Sequence, residues 1–561
     1  MKYYKHIIQL MIAAIIMMAC SSESYPGLMY EDVDVVNNNE TPDDSKALPI
    51  HVYVNEQSVV SLSPGAAARQ DEVTRGIGPF QIYQDADWNE LSEEETKLAK
   101  TKRDSTYFYI FAFRNKTAEQ SSPDTKQLLN DPDMHTNCQI KQSNRPGDAH
   151  DDPMRLDCLI DGYDYYKGMP SRLDESLQGL NLDVPKTSPL YWGEYQEVSY
   201  NFFAYSVGDV RDRKTKSLLS SGDNTDAIEG IQWGIPHRDR DSVWFENFAI
   251  DGSQDLMVGY APIITTDLFA DDGRYAEMRP STDETRKYAL TEGEYKRILN
   301  DGRYTSFAAH RGIEPQVDMK HVLTRLRFKM RPGDETASNT TIDAIYATTP
   351  YKGKFIVANK DKVNDDGTIE VGFVGFRPDM SDDAKGDLLL RDYPEIAEDG
   401  SLLPAKLISE LPEEDRIVPW KDEYWIREDG KIVGKIPLNE RGDPLRIGDN
   451  LLIPEAEKIT ISIESTFKRK DDEGNVVEER KFRSRYTIKA ELQAGSPGTE
   501  TYSKYYDEAT GRFLFKRGHI YDITLVVYGL QPIQVSANID GWQQGGDIPI
   551  TPDDAEDAEA Y

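Results

Sequence analysis

The chain has 561 residues, more than one hydrophobic core usually organises, so at least two large domains are expected. Hydrophobic residues make up 38% and charged residues 29%, the balance of a globular protein with a real core, and 31 Tyr with 18 Phe favour sheets over helices. A formal net charge of -34 repels phosphate backbones and anionic membrane surfaces, which excludes nucleic acid as a partner; its plain role is solubility.

Lys2 and Lys5 open the chain and an apolar run follows from Ile7 to Met18. The run is too short to cross a bilayer of roughly 30 Å, but it has the form of a secretory h-region. It ends in Met17-Met18-Ala19-Cys20. A small residue directly before a cysteine resembles the bacterial lipobox, in which the thiol is lipid-modified and becomes the new N-terminus. Residues 1–20 are therefore read as a lipoprotein signal, against a plain signal peptide with an incidental cysteine. Residues 21–47 are polar, acidic and Asn/Pro-rich, and read as a flexible tether. Only 3 cysteines exist, so export leaves Cys138 and Cys158 as one candidate disulfide in a compartment that permits it.

Order is expected from Leu48. In LPIHVYVNEQSVVSL, residues 48–62, the apolar side chains Leu48, Ile50, Val52, Val54, Val60 and Leu62 fall on even positions, the pattern of a strand with one buried face. Ser63-Pro64-Gly65 ends it. The next stretch, AAARQDEVTRGIGPF, carries Arg69 and Arg75 among small, acidic and glycine residues, and reads as a soft loop open to a trypsin-like protease.

Tyr107–Phe113 and Val198–Val207 are buried-type strand runs. Residues 85–104 and 281–300 are charged and suit short helices, and 115–155 and 208–227 are loops by composition. A second series of strands starts near Val317. In VDMKHVLTRLRFKM, Val322, Leu326, Phe328 and Met330 face one way and Arg325, Arg327 and Lys329 the other. Further strands are expected at 342–347, 354–360, 458–467, 485–492 and 519–529. In QPIQVSANIDGW, residues 531–542, Ile533, Val535, Ala537 and Ile539 alternate with Gln534, Ser536 and Asn538. Residues 542–561 read as an acidic tail. The sum is a mostly β chain of sandwich domains with long loop insertions and a few short helices. An N-terminal domain is placed over 48–315 and a C-terminal one over 316–541.

Known catalytic signatures are absent: there is no HExxH, G-x-S-x-G, P-loop or dinucleotide fingerprint. His135, Cys138, His150 and Cys158 form a metal site on paper only, because their spacing matches no zinc module. Residues 361–370 fail the EF-hand register, and Arg441-Gly442-Asp443 is read as a turn. Acidic pairs are abundant, and none is singled out as a glycosidase dyad. No enzyme, metal or cofactor is therefore assigned.

Several stretches, in order, resemble the fimbrillins, the type V pilins of Bacteroidales. They are Met17-Met18-Ala19-Cys20, Thr74-Arg75-Gly76, Tyr191-Trp192 with Tyr200–Tyr205, Gly252–Met257, His321–Leu326 and Arg517–Tyr521. They span about half the chain discontinuously, with unmatched insertions between. The resemblance implies a lipoprotein precursor of the outer membrane with two transthyretin-like β-sandwich domains. It further implies that an arginine-specific protease cuts a loop after the first strand, at Arg75 or Arg69, and that a neighbouring fimbrial subunit fills the vacated groove with a strand. Residues 48–62 are then the displaced strand. The alternation of 531–541, near a terminus, suits a donor, against an ordinary final strand pairing in its own sheet. The chain is longer than a typical shaft subunit, which points to a tip or accessory role. The competing expectation is an uncleaved surface lipoprotein that binds glycans or host ligands.

Overall fold

The computed structural model describes Leu48, Ile50 and 52–56, the strands and their flanks between 107 and 239, and nearly all of 242–359. It further describes segments between 362 and 435, nearly all of 445–528, and 534–539, 545–549 and 558–560. The chain is mostly β, with several sheets and a few short helices.

The first sheet runs Tyr53–Glu56, Gln316–His321, Met257–Tyr260, Ser199–Ser206, Phe108–Asn115, Met169–Leu173, Leu180–Leu182, with Tyr304–Thr305 also paired to Ser199–Ser206. Its central strands are apolar on both faces because both faces are covered. Tyr109, Phe111 and Phe113, with Phe203 and Tyr205, enter one core; Phe108, Ile110 and Ala112, with Tyr200, Phe202 and Ala204, enter a second. That is why 107–113 and 198–207 read as continuous apolar runs rather than alternating ones.

One face packs on a four-stranded sheet of His237–Arg238, Ser242–Ala249, Lys352–Asn359 and Gly375–Pro378, through Phe245, Phe248 and Phe355. The other face is covered by residues 261–313, whose main element is the helix Glu292–Asp301. Thr291 and Glu294 close a capping box at its start, and Gly302 in the left-handed region ends it.

Two five-stranded sheets follow. One orders Leu445–Ile453, Thr324–Pro332, Ile520–Val527, Gln534–Ile539 and Gly545–Pro549; the other orders Lys385–Leu389, Thr340–Pro350, Lys458–Lys470, Val476–Lys489 and Ala558–Ala560. Leu326, Phe328, Ile523 and Leu525 from one and Ile345, Ile461 and Ile463 from the other share a core.

Several expectations change. The run 317–330 is two strands, broken at Val322–Leu323, with Gln316–His321 in the first sheet and Thr324–Pro332 in a five-stranded one. The four-stranded sheet joins residues from both sides of that position, since Ser242–Ala249 pairs with Lys352–Asn359. Among the described residues, ladder pairing of the N-terminal segment covers Tyr53–Glu56, and the Leu48 carbonyl is taken by Trp192. Strand 485–492 gives way to a helical turn at Ala490–Gln493. The acidic tail contains two strands, Gly545–Pro549 and Ala558–Ala560. Of the two charged stretches read as helical, 85–104 lies outside the described residues.

Candidate functional site

The N-terminal segment forms the edge of the first sheet. Tyr53, Val54, Asn55 and Glu56 pair in parallel with Gln316, Val317, Asp318 and Met319. Before this short ladder, Ile50 and Val52 are buried at 6% and 1% exposure, and Leu48 is half-buried against the same core. Even positions therefore point inward, as period two requires. The floor beneath them is Met257, Val317, Met319, Phe202 and Trp192. Trp192 also grips the backbone: its N–H donates to the Leu48 carbonyl at 2.9 Å. Its ring sits edge-on to Phe202 and tilted to Tyr200, at 5.8 and 6.0 Å between centroids.

The covering layer is locked to the strand that carries this ladder. Arg274 Nη2 donates to Asp318 Oδ1 at 2.9 Å and Nη1 to the Gln316 carbonyl at 3.3 Å. Burial alone would lower the Arg274 pKa, but the charge of Asp318 and its hydrogen bond outweigh that and leave it raised. Tyr275 donates to the Glu314 carbonyl at 2.8 Å, and Tyr304 to the Pro262 carbonyl at 3.2 Å. Burial pushes the Tyr304 phenol up to about 12. Phe307 lies between the guanidinium groups of Arg297 and Arg311, 3.7 and 3.5 Å from its ring centroid, and Arg311 Nε reaches Glu294 at 2.7 Å.

A second cluster explains three of the sequence stretches read as one ordered set. Gly252–Met257, His321–Leu326 and Arg517–Tyr521 converge where the chain crosses between sheets. Val322 N–H donates to Leu256 O at 3.0 Å, Arg325 N–H to His519 O at 3.0 Å, and Gly518 N–H to Leu323 O at 2.8 Å. Thr324 Oγ1 donates to Phe515 O at 3.0 Å. Asp255 lies against His321 Nδ1 at 2.8 Å and Arg325 Nη2 at 3.5 Å, all three buried. Gly252 and Gly518 have φ of 89° and 72°, and a Cβ on Gly252 would meet Leu451 at 2.6 Å. The geometry of this cluster is that of a structural pin.

Arg325 and Arg327 are buried, although they lie opposite the apolar row of their strand. Asp522 on the parallel neighbour accepts from Arg327 Nε, from Arg327 Nη2 at 2.7 Å and from Lys329 Nζ at 2.7 Å. Burial pushes the Asp522 carboxyl up, yet the Arg327 fork and the two positive charges hold it below its ordinary value.

Cys20, Arg69, Arg75, Val60, Leu62 and Ile533 lie outside the described residues. Val54 sits in the Tyr53–Glu56 ladder opposite Val317. Cys138 and Cys158 are direct register partners across an antiparallel ribbon, Cys138–Lys141 with Arg155–Cys158, whose first strand falls inside the stretch 115–155 read as loop. Val535, Ala537 and Ile539 lie on Gln534–Ile539, which is not an edge: Ile520–Val527 pairs on one side and Gly545–Pro549 on the other. In this chain that stretch is a strand of its own sheet. The short helix expected over 281–300 is found as Glu292–Asp301, while its covering of the sheet and the Arg274–Asp318 lock were not read from the sequence. Among the described residues no group of three or more His, Cys, Asp or Glu gathers to hold a metal, and no helix is long and apolar enough to cross a membrane.

No family model and no curated relative matches the chain. Among solved structures it is similar to a candidate cell adhesion protein of Bacteroides uniformis, at 8% identity and a TM-score of 0.27, covering 79% of this chain and 94% of that one. A candidate cell adhesion protein of Bacteroides ovatus aligns at 10% identity and 0.28, covering 89% and 98%. The fimbrial anchor protein Mfa2 of Porphyromonas gingivalis aligns at 10% identity and 0.20, covering 88% and 98%.

Proposed function

We propose that the chain is a non-enzymatic subunit of a cell-surface fimbria, exported as a lipoprotein through Cys20 and activated by removal of its first strand. An arginine-specific protease cuts at Arg75 or Arg69, residues 48–62 leave, and a strand from another subunit enters. The observation that carries this reading is the seating of the N-terminal segment. Ile50 and Val52 fill an apolar core, and the backbone attachment seen among the described residues is a four-residue edge ladder and one carbonyl clamp. Loss of the segment would bare the Gln316–His321 edge beside an apolar slot, and an added strand satisfies both.

The internal pairing of Gln534–Ile539 on both sides favours a tip or accessory subunit, which accepts a strand without giving one. Low-dose trypsin on the full-length protein tests the reading. Loss of about 50–60 N-terminal residues with SDS-resistant assemblies forming in the presence of partner subunits is expected, since β-addition buries a long strand. Assembled material that still begins at Cys20 would overturn it.

A further inference from the structure

The slot holds one buried polar group that its present occupant does not satisfy. Trp192 is 1% exposed, and its Nε1–H has no hydrogen-bond acceptor among the described residues. Its own backbone N–H donates to the Leu48 carbonyl, and Leu48 packs against the apolar cluster that contains Trp192, so the residue lies at the start of the N-terminal segment. The inward row of that segment, Leu48, Ile50, Val52, is aliphatic and has nothing to accept with. A buried donor with no partner carries the full penalty of lost hydration.

We infer that the strand that replaces the N-terminal segment carries a hydrogen-bond acceptor, an Asn, Gln, Ser or Thr side chain, at the position now held by Leu48, and that it pairs with Trp192 Nε1. This rests on the strand-exchange reading above. Exchange runs downhill only if the incoming strand interacts better than the outgoing one. An apolar row that fills the slot, but leaves one donor unmade, seals it and remains displaceable. The partner is thus an extended segment with period-two alternation whose inward row is aliphatic except for one polar residue at its first position.

Two measurements on the full-length chain test this. In thermal melts, Leu48→Gln is expected to gain about 2 °C or more relative to its effect in the Trp192→Phe background. Trp192→Phe shrinks a buried ring and lowers the melting temperature by itself, so the readout is the coupling between the two substitutions in the double-mutant cycle. In the second, a synthetic peptide of residues 46–58 and its Leu48→Gln version compete for the slot after cleavage in the arginine loop. The Gln peptide should bind about tenfold tighter, equivalent to roughly 1.4 kcal/mol, with the advantage gone in Trp192→Phe. Equal binding of the two peptides, or no coupling in the melts, overturns the inference and leaves strand exchange standing. Failure of either peptide to displace the segment overturns both.

Discussion

Asp522 accepts from two arginine nitrogens and a lysine in a buried site, so removing it takes the carboxylate away from the buried Arg327 fork. Asp522→Ala should cost about 3–5 kcal/mol in denaturant unfolding, whereas Lys329→Met, at the half-exposed partner, should cost far less. The depressed Asp522 pKa also gives a pH signature. Its contribution is complete above the unfolded carboxylate value of about 3.9 and disappears as pH falls through the lower folded value. His519 acts at higher pH. Burial, opposed by its bond to the Arg517 carbonyl and aided by Lys516 and Lys504, lowers its pKa from 6.5 to about 4. The unfolded imidazole therefore takes a proton that the folded one refuses. Stability should decline as pH drops from 6.5 toward 4 and stop declining on that account below it; His519→Gln should flatten this part of the curve in melts across the range.

Individual elements differed in how well their sequences announced them. Ser199–Ser206 was legible because all eight residues are buried, which only a strand covered on both faces requires. The break at Val322–Leu323 was not, because the apolar alternation continues straight through it while the hydrogen bonds that turn the chain come from Leu256 and residues 515–519. Burial of Arg327 was equally hidden, since its partner lies 195 residues away. The inward row of the N-terminal segment was legible at Ile50 and Val52, whereas the Trp192 clamp depends on tertiary contact. At the Cys138–Lys141 ribbon, direct register partners in an antiparallel pair sit about 4.5–5.5 Å apart at Cα, inside the range a disulfide spans. Exported protein should therefore show no alkylatable thiol at Cys138 or Cys158 before reduction, and one cross-linked peptide by mass spectrometry. Labelling of both in native material would refute the pairing.

Across the molecule, a net charge of -34 sets the conditions of any encounter with another acidic subunit. Two such chains repel at long range, and salt screens that repulsion over about 8 Å at physiological ionic strength. If the proposed strand exchange occurs with an equally acidic partner subunit, its uptake should accelerate as sodium chloride rises from 10 to 150 mM, with rates on the order of tenfold apart by light scattering, while the stability of an apolar, backbone-bonded contact changes little. Rates that fall with salt would mean that attraction between opposite charges drives the encounter. The junction at Val322–Leu323 has a mechanical consequence for such a fibre. The edge position held by Tyr53–Glu56 runs parallel to Gln316–His321, and two residues later the chain enters Thr324–Pro332, itself parallel to Ile520–Val527. Tension applied along an occupant of the edge would travel lengthwise through successive ladders in shear, loading many bonds together instead of peeling them one by one. The pinned crossing between those ladders would be the coupling that transmits the pull.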